Sequence, residues 1–390
     1  MLAVLAPGQG SQIPGMLTPW LELPGAHEAI GTFGEAAGLD LLRLGTTAGA
    51  EEIVDTAVTQ PLVVALGLLA ADALTLTEDV AVAGHSVGEI TAAAVAGSLT
   101  PEAAVAFAAR RGAEMAAACA PTPTGMSAVL GGDPDEVLAA IGSHGLTAAN
   151  RNGTGQVVAA GSREALQALA DDPPAGARVR PLAVAGAFHT HYMHPAEDAL
   201  AEFSQGLVAR NPRCVLLSNA DGAGTSTGHG VLGRLVRQIT RPVRWDLCQQ
   251  SMRDLGVTVV VELPPAGTLA GLAKRELPGV QILALKSPAD LAAAQTLADD
   301  RSQHRQGEHT VDFQVVVSPA KGVFTRAAGI DEGSVVDPGA RLGTIATNRD
   351  EHPVTAPAGG PLHLTEWLRH DGDIVAAGLA VARLQSGSES

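Results

Sequence analysis

The sequence predicts an α/β protein: a mostly parallel sheet covered by helices, with a small inserted α+β unit and an all-β module at the carboxy terminus. Three observations predict it. Short apolar runs of buried-strand type (residues 2–6, 80–83, 215–219 and 257–263) alternate with helical segments, the pattern of a sheet with crossover helices. From about Gly125 the order changes to strand-helix-strand-strand-helix-strand, that of a ferredoxin-like unit. Near the end, two similar halves of short strands joined by glycine turns follow one another.

Taken in order, LAVLA at 2–6 suits a central strand. It closes on Pro7-Gly8-Gln9-Gly10, a turn from which Gln9 can present its backbone amide to a cleft. Residues 19–56 read as helices and loops without distinctive chemistry. Thr59-Gln60-Pro61 opens a helix over 62–74, with Thr59 as its cap and Pro61 in the first turn. Residues 80–90 read VAVAGHSVGEI: a strand, a G-x-S-x-G turn, then a helix over 89–96. Strand, sharp turn and helix are the context of a nucleophile elbow, whose glycines give room for a strained serine. Ser86 then stands at a helix N-terminus, where free amides favour negative charge developing on a bound carbonyl.

The helix over 101–118 carries Arg110 and Arg111, which cannot share a face, so at most one points into a neighbouring cleft. Strands at 126–130, 147–150, 156–160 and 177–184, with helices at 133–141 and 163–170, make up the insert. FHTHYMH at 188–194 follows, bringing His189, His191 and His194 close together. No carboxylate or thiolate cluster completes a metal site around them, so no metal is expected. A base for Ser86 is the stronger use, because a neutral imidazole is the usual activator of a serine hydroxyl. Helices at 196–208, 230–238 and 247–255 return to the large-domain pattern.

The composition narrows the classes. A chain of 390 residues can bury a large core and hold more than one domain. With 46% hydrophobic residues and only 3% aromatic ones, the cores are aliphatic. A formal charge of −16 argues against a nucleic-acid binder, which needs basic surface. Cys119, Cys214 and Cys248 are scattered without metal spacing and fit a reduced, cytoplasmic setting. The start, MLAVLAPGQG, lacks a basic n-region and a long apolar h-region, and no apolar run reaches about 18 residues. A soluble protein without a signal peptide or membrane partner is therefore expected.

Six motifs occur in order: GQGSQ at 8–12, TQP at 59–61, GHSVGE at 84–89, R-G-x-x-M at 111–115, Asn150-Arg151-Asn152 with GQVV at 155–158, and GAFHT at 186–190. Together they resemble the malonyl-CoA:acyl-carrier-protein transacylases, over roughly residues 1–290. The resemblance implies a hydrolase-like α/β core and a covalent two-step exchange. In that exchange Ser86 takes the malonyl group from malonyl-CoA and passes it to the phosphopantetheine thiol of an acyl carrier protein. It implies His189 as the base, oriented by a backbone carbonyl rather than by a third acid, and the amides of Gln9 and Val87 as oxyanion hole. Arg111 falls on the arginine that pairs with the malonyl carboxylate, Gln60 and Asn150 join the substrate site, and Phe188 occupies the position where malonyl-selective members carry Phe. A free-standing enzyme is expected, since the first strand begins at residue 2. The carrier is expected to dock on basic surface, with Arg178, Arg180, Lys274 and Arg275 as candidates. One departure is ELPPAG at 262–267, where the family usually has a Gly-Pro-Gly turn. Two other classes stay open: a serine hydrolase (thioesterase or esterase) on the same elbow, and a non-catalytic scaffold in a synthase complex.

Residues 287–307 read as a helix and then a linker. Beyond them, VSPAKGV at 317–323 resembles TAPAGGP at 355–361, and GSVVDPG at 333–339 resembles GDIVAAG at 372–378. This resembles a biotinyl/lipoyl carrier domain, whose central hairpin presents a lysine. Here Arg349 stands at the lysine's place, and a guanidinium cannot form the cofactor amide, so neither biotin nor lipoate is expected. Lys321 falls in a different turn. The expected organisation is an acyltransferase core at 1–124 and 186–290, an insert at 125–185, a linker at 291–312 and the β module at 313–386. The module is expected either to dock a protein partner or only to add stability.

Overall fold

Leu2, Val4 and Ala6 leave the first strand on one face and Ala3 and Leu5 on the other, and each set is buried in a different apolar cluster. That is the two-sided burial expected of a central parallel strand. The computed structural model describes residues 1–153, 155–307, 313–347, 350–357 and 362–386. The chain divides into two compact units, Met1–Arg301 and Ser302–Ser390.

In chain order the first elements are β1 (Leu2–Ala6), α1 (Ala26–Ala37), α2 (Leu41–Thr46), α3 (Ala50–Ile53), α4 (Thr56–Asp72), β2 (Val80–Gly84), α5 (Gly88–Val95) and α6 (Pro101–Cys119). Next come β3 (Thr124–Gly131), α7 (Pro134–Ser143), β4 (Thr147–Arg151), β5 (Gln156–Ser162), α8 (Arg163–Asp171) and β6 (Ala177–Pro181). Then follow α9 (His194–Ser204), β7 (Val215–Leu217), α10 (Gly228–Arg237), β8 (Val243–Arg244) and α11 (Trp245–Asp254). β9 (Val259–Glu262), α12 (Thr268–Glu276), β10 (Gln281–Ala284) and α13 (Leu291–Gly307) complete this run.

The main sheet has the order β10-β9-β1-β2-β7, parallel throughout. Leu62, Val63, Leu66, Ile90 and Phe107 cover one face, and Trp245, Met252, Leu269 and Leu272 cover the other. The helix expected over 62–74 begins earlier. Asp55 takes the cap, its carboxylate accepting from the Ala57 amide at 2.9 Å, while the Thr59 hydroxyl donates to the Ile53 carbonyl instead. Pro61 therefore lies inside α4 rather than in its first turn.

The smaller sheet has the order β6-β3-β5-β4-β8. Its first four strands are antiparallel; β8 arrives from much later in the chain and pairs parallel to β4 through Asn150 and Val243. Val129 and Ala159 pack under Val137, Ile141, Leu166 and Leu169 of the two helices. Met126, Val158 and Ala160, which alternate with them, join the main apolar cluster. One face of this sheet is thus buried against the large domain, which places the segment after β6 beside the end of β2. In the loop that departs from the family turn, Glu262 accepts from the amides of Gly267 (2.7 Å), Leu269 (2.9 Å) and Ala270 (2.8 Å), capping α12.

The second unit contains β11 (Phe313–Val317), β12 (Gly322–Arg326), β13 (Val335–Val336), β14 (Arg341–Ala346), β15 (Glu351–Thr355), β16 (Leu362–Trp367), β17 (Ile374–Val375) and β18 (Ala380–Ser386). They form two four-stranded antiparallel sheets, β11-β18-β16-β13 and β15-β14-β12-β17. Moving every strand four places along the chain turns one order into the other, so the repeat seen in the sequence is also a repeat of topology. Phe324, Leu342, Ile345, Leu364, Trp367 and Leu384 fill the space within this unit. Arg349 lies outside the described residues.

Candidate active site

Ser86 follows the carboxyl end of β2, and its φ of +54° is held by contacts on every side. A Cβ at Gly84 would overlap the Gly88 carbonyl, and one at Gly88 would overlap the Ala6 oxygen at the end of β1. Both motif glycines are therefore steric necessities. The His85 amide donates to the Ala6 carbonyl at 3.0 Å, the Glu89 amide to the Ser86 carbonyl at 2.9 Å, and the Ser86 amide to Asn219 Oδ1 at 2.8 Å. Asn219 Nδ2 donates to the Gly84 carbonyl at 2.7 Å, so one side chain clamps both ends of the turn.

His189 comes from the loop after β6. Thr190 donates its hydroxyl to the Ala187 carbonyl at 2.6 Å, and the Ala187 amide donates to Thr124 Oγ1 at 3.0 Å. His189 has a φ of +61°. It and Ser86 are the non-glycine residues with positive φ among the described residues. Strain stored at two positions a hundred residues apart in sequence marks a functional pair when the two side chains meet. They do meet: Ser86 Oγ and His189 Nε2 lie 2.7 Å apart. His189 Nδ1 lies 2.8 Å from the Gln238 carbonyl, which can only accept. The proton therefore sits on Nδ1, and the Nε2 lone pair faces the serine hydroxyl. Burial, reinforced by the Arg111 charge, pushes the imidazole pKa down to about 3, so it is neutral and able to take a proton at neutral pH.

Arg111 and Arg110 separate as helix geometry requires. Arg110 pairs with Glu114 on the surface at 3.0 Å, while Arg111 is 1% exposed. Arg111 Nη1 donates to Gln60 Oε1 at 2.7 Å, and Nη2 donates to Gln238 Oε1 at 2.9 Å and to Ser86 Oγ at 3.2 Å. Among the described residues no carboxylate pairs with this guanidinium, and its Nε has no acceptor. Burial lowers its pKa to about 9 against the pull of Glu89, which leaves it charged at neutral pH. A buried, partner-poor cation beside a nucleophile is an anion-binding arrangement.

Of the remaining predicted residues, Val87, Phe188, Gln60 and Gln9 fall around this centre, whereas among the described residues no contact of Asn150 reaches it. Val87 and Phe188 are buried beside Ser86 and His189 in the chain, and Gln60 Nε2 faces Met115 Sδ at 3.6 Å. Gly8 lies against the His85 carbonyl, which brings the Gln9 turn to the elbow. The Gln9 and Val87 amides have no acceptor among the described residues. Asn150 stands on β4 opposite Val243, its Oδ1 buried without a partner. It is Asn152, two residues on, whose Oδ1 meets His85 Nε2 at 2.8 Å. Sequence reasoning missed Asn152, Asn219 and Gln238 as site residues. Asn219 and Gln238 lie in no motif of their own and act through tertiary contact, whereas Glu89, the last residue of GHSVGE, was in view without a role. A groove of about 840 Å³, lined by Leu68, Leu74, Val80 and Arg213 among others, sits at the opposite end of β2 and takes no part in this chemistry.

A family model described as the acyl transferase domain matches residues 4–300. The chain belongs to the acyl transferase family. The malonyl CoA-acyl carrier protein transacylase of Mycobacterium tuberculosis (strain ATCC 25618 / H37Rv) is 58% identical to this acyl transferase over 296 residues, covering 75% of this chain and 98% of that one. The protein of the same name from Escherichia coli (strain K12) is 33% identical over 306 residues, covering 75% and 98%. Among solved structures, the crystal structure of MCAT from Mycobacterium tuberculosis matches with a TM-score of 0.74 at 57% identity, covering 75% of this chain and 99% of that one. A type II PKS acyl-carrier protein in complex with its malonyl-transacylase matches with a TM-score of 0.72 at 30% identity, covering 76% and 99%. The second unit of this acyl transferase begins beyond the matched residues.

Proposed function

We propose that this acyl transferase moves a malonyl group from malonyl-CoA to the phosphopantetheine thiol of an acyl carrier protein through a malonyl-Ser86 ester. The observation that carries the reading is Arg111: a buried guanidinium without a carboxylate partner among the described residues, 3.2 Å from the nucleophile. A thioesterase acting on neutral acyl groups has no use for such a cation. The malonyl carboxylate supplies its missing anion in fork geometry and thereby aims the thioester carbonyl at Ser86.

His189 Nε2 takes the hydroxyl proton as Ser86 Oγ attacks. Negative charge on the tetrahedral carbonyl oxygen is met by the Gln9 and Val87 amides. The imidazolium then returns its proton to the departing coenzyme A sulfur, and the ester remains on Ser86. In the second half the carrier thiol gives its proton to His189, attacks the ester, and Ser86 Oγ leaves with that proton. Phe188 and Gln60 shape the acyl pocket, with Phe188 opposing an α-methyl branch, and Asn150 belongs to the substrate-binding set. Arg178 and Arg180 on β6 and Lys274 and Arg275 on α12 are the basic positions read as carrier-facing. Cytoplasmic residence is part of this reading, and among the described residues no helix is long and apolar enough to cross a membrane.

The order β6-β3-β5-β4 supports reading residues 125–185 as a ferredoxin-like insert between the two core segments 1–124 and 186–290. The second unit we read as a biotinyl/lipoyl-like sandwich serving as a docking module for a protein partner, supported by its two interchangeable sheets. Arg349 stands at the position of the carrier lysine in the sequence, and Lys321 lies in a different turn, between β11 and β12, so the intact mass should carry neither biotin nor lipoate. The deciding experiment incubates the protein with malonyl-CoA and holo carrier protein and follows masses. The wild type should gain one malonyl group and pass it to the carrier, and Ser86→Ala should do neither; malonyl-Ser86 that only hydrolyses would sink the transferase reading.

A further inference from the structure

Glu89 is 4% exposed, lies directly beneath the nucleophile and has no part in the transfer steps above. Its carboxyl oxygens accept from the Asn219 amide at 3.2 Å and from Gln238 Nε2; burial raises its pKa, and these donors together with Ser218 act against that rise. Gln238 in turn divides its amide between two environments. Its Oε1 accepts from Arg111 Nη2 at 2.9 Å, while Nε2 faces acceptors: Glu89 Oε2, the Ser86 carbonyl at 3.0 Å and Asn219 Oδ1 at 3.3 Å. Only one orientation of this amide satisfies both sides, because a guanidinium cannot accept. Glu89 enforces that orientation from the side opposite Arg111.

The geometry points to Glu89 as a positioning residue for acyl selectivity: it locks the Gln238 amide so that Oε1 holds the Arg111 guanidinium toward Ser86, where the acyl carboxylate arrives. A glutamine at position 89 fills the same space but brings its own NH2 group. Facing Asn219, that group meets a backbone N–H that cannot turn away. Facing Gln238, it drives the Gln238 amide over, so that an NH2 meets Arg111 and the guanidinium loses an acceptor. Backbone is the stiffer of the two, so Gln238 is the group that yields. The same turn withdraws the Gln238 Nε2 donation from the Ser86 backbone carbonyl, a loss common to every acyl donor, whereas the loss through Arg111 falls on the carboxylate-bearing donor alone.

This inference rests on the malonyl reading, and the test separates the two. The rates of carrier acylation by malonyl-CoA and acetyl-CoA are compared for wild type and Glu89→Gln. The ratio of malonyl to acetyl kcat/KM should fall about tenfold, the scale of one hydrogen bond to a charged group, with KM for malonyl-CoA carrying most of the loss. A parallel fall for both donors would make Glu89 a purely structural residue, and an unchanged ratio would remove the relay. Should Glu89→Gln fail to fold, Gln238→Ala cuts the same relay at its middle while keeping the backbone carbonyl, and it must lower the ratio similarly. If the wild type itself shows no preference for malonyl, the substrate reading fails whatever position 89 does.

Discussion

Replacing Arg111 by alanine tests the substrate assignment most directly. The guanidinium reaches the nucleophile through Nη2, 3.2 Å from Ser86 Oγ, with Nη1 anchored by Gln60 at 2.7 Å and Nη2 by Gln238 at 2.9 Å. A malonyl carboxylate gripped by this fork gains two charge-assisted hydrogen bonds, and each such bond contributes about 1.5–3 kcal/mol. Losing both removes about 4 kcal/mol of transition-state stabilisation, roughly a thousandfold in kcat/KM at about 1.4 kcal/mol per factor of ten. Acetyl-CoA has no carboxylate to lose, so its kcat/KM should fall far less and the preference should invert. The assay measures initial rates of carrier acylation from both donors, followed by mass, for wild type, Arg111→Ala and Arg111→Lys. Lysine keeps the charge but not the fork and should recover only part of the malonyl rate. Equal losses on malonyl and acetyl thioesters would refute the carboxylate clamp, because a general disturbance of the elbow treats both alike.

The remaining predictions concern the base, the pocket and the turn. His189 is held at about 3 against 6.5 for the free imidazole, so kcat/KM should stay flat as pH falls through 6.5; an acid limb centred there would contradict a buried neutral base. The same shift bears on stability: between those two values the unfolded chain binds the extra proton. The stability associated with neutral His189 is complete above 6.5 and is lost as pH drops toward about 3, and thermal melts of wild type and His189→Gln should diverge over that window. Phe188→Ser should gain transfer from methylmalonyl-CoA by opening space beside the acyl group, measured as the methylmalonyl-to-malonyl ratio; no gain would remove the steric argument. Gly84→Ala should cost about 3 kcal/mol or more, read as a lowered melting temperature, because its Cβ would have to displace the Gly88 backbone rather than a side chain.

How much of the site was legible depended on how local its geometry is. The elbow could be read in eleven consecutive residues, since the glycines at 84 and 88 and the serine between them are demanded by one turn. GAFHT and the arginine pair were legible as candidates; helix spacing alone did not tell which arginine turns inward, the resemblance pointed to Arg111, and in the structure Arg110 pairs with Glu114 on the surface while Arg111 is buried. The cap of α4 was misplaced because Asp55 and Thr59 both suit that role, and only packing sends the Thr59 hydroxyl to Ile53. The strand β8 is two residues long and has no periodicity to detect; it exists because β4 offers it an edge.

The sequence by itself determined most of the longer elements, the elbow and the repeated halves of the second unit, because turns and apolar alternation are set by residues close together in the chain. Only the tertiary structure decided that Gln238 would serve Arg111 with its side chain and His189 with its carbonyl, and that Asn219 would clamp both ends of the serine turn. The physical reason is that a glutamine or asparagine makes the same hydrogen bonds almost anywhere, so its role is fixed by which buried donors and acceptors the folded chain leaves within its reach.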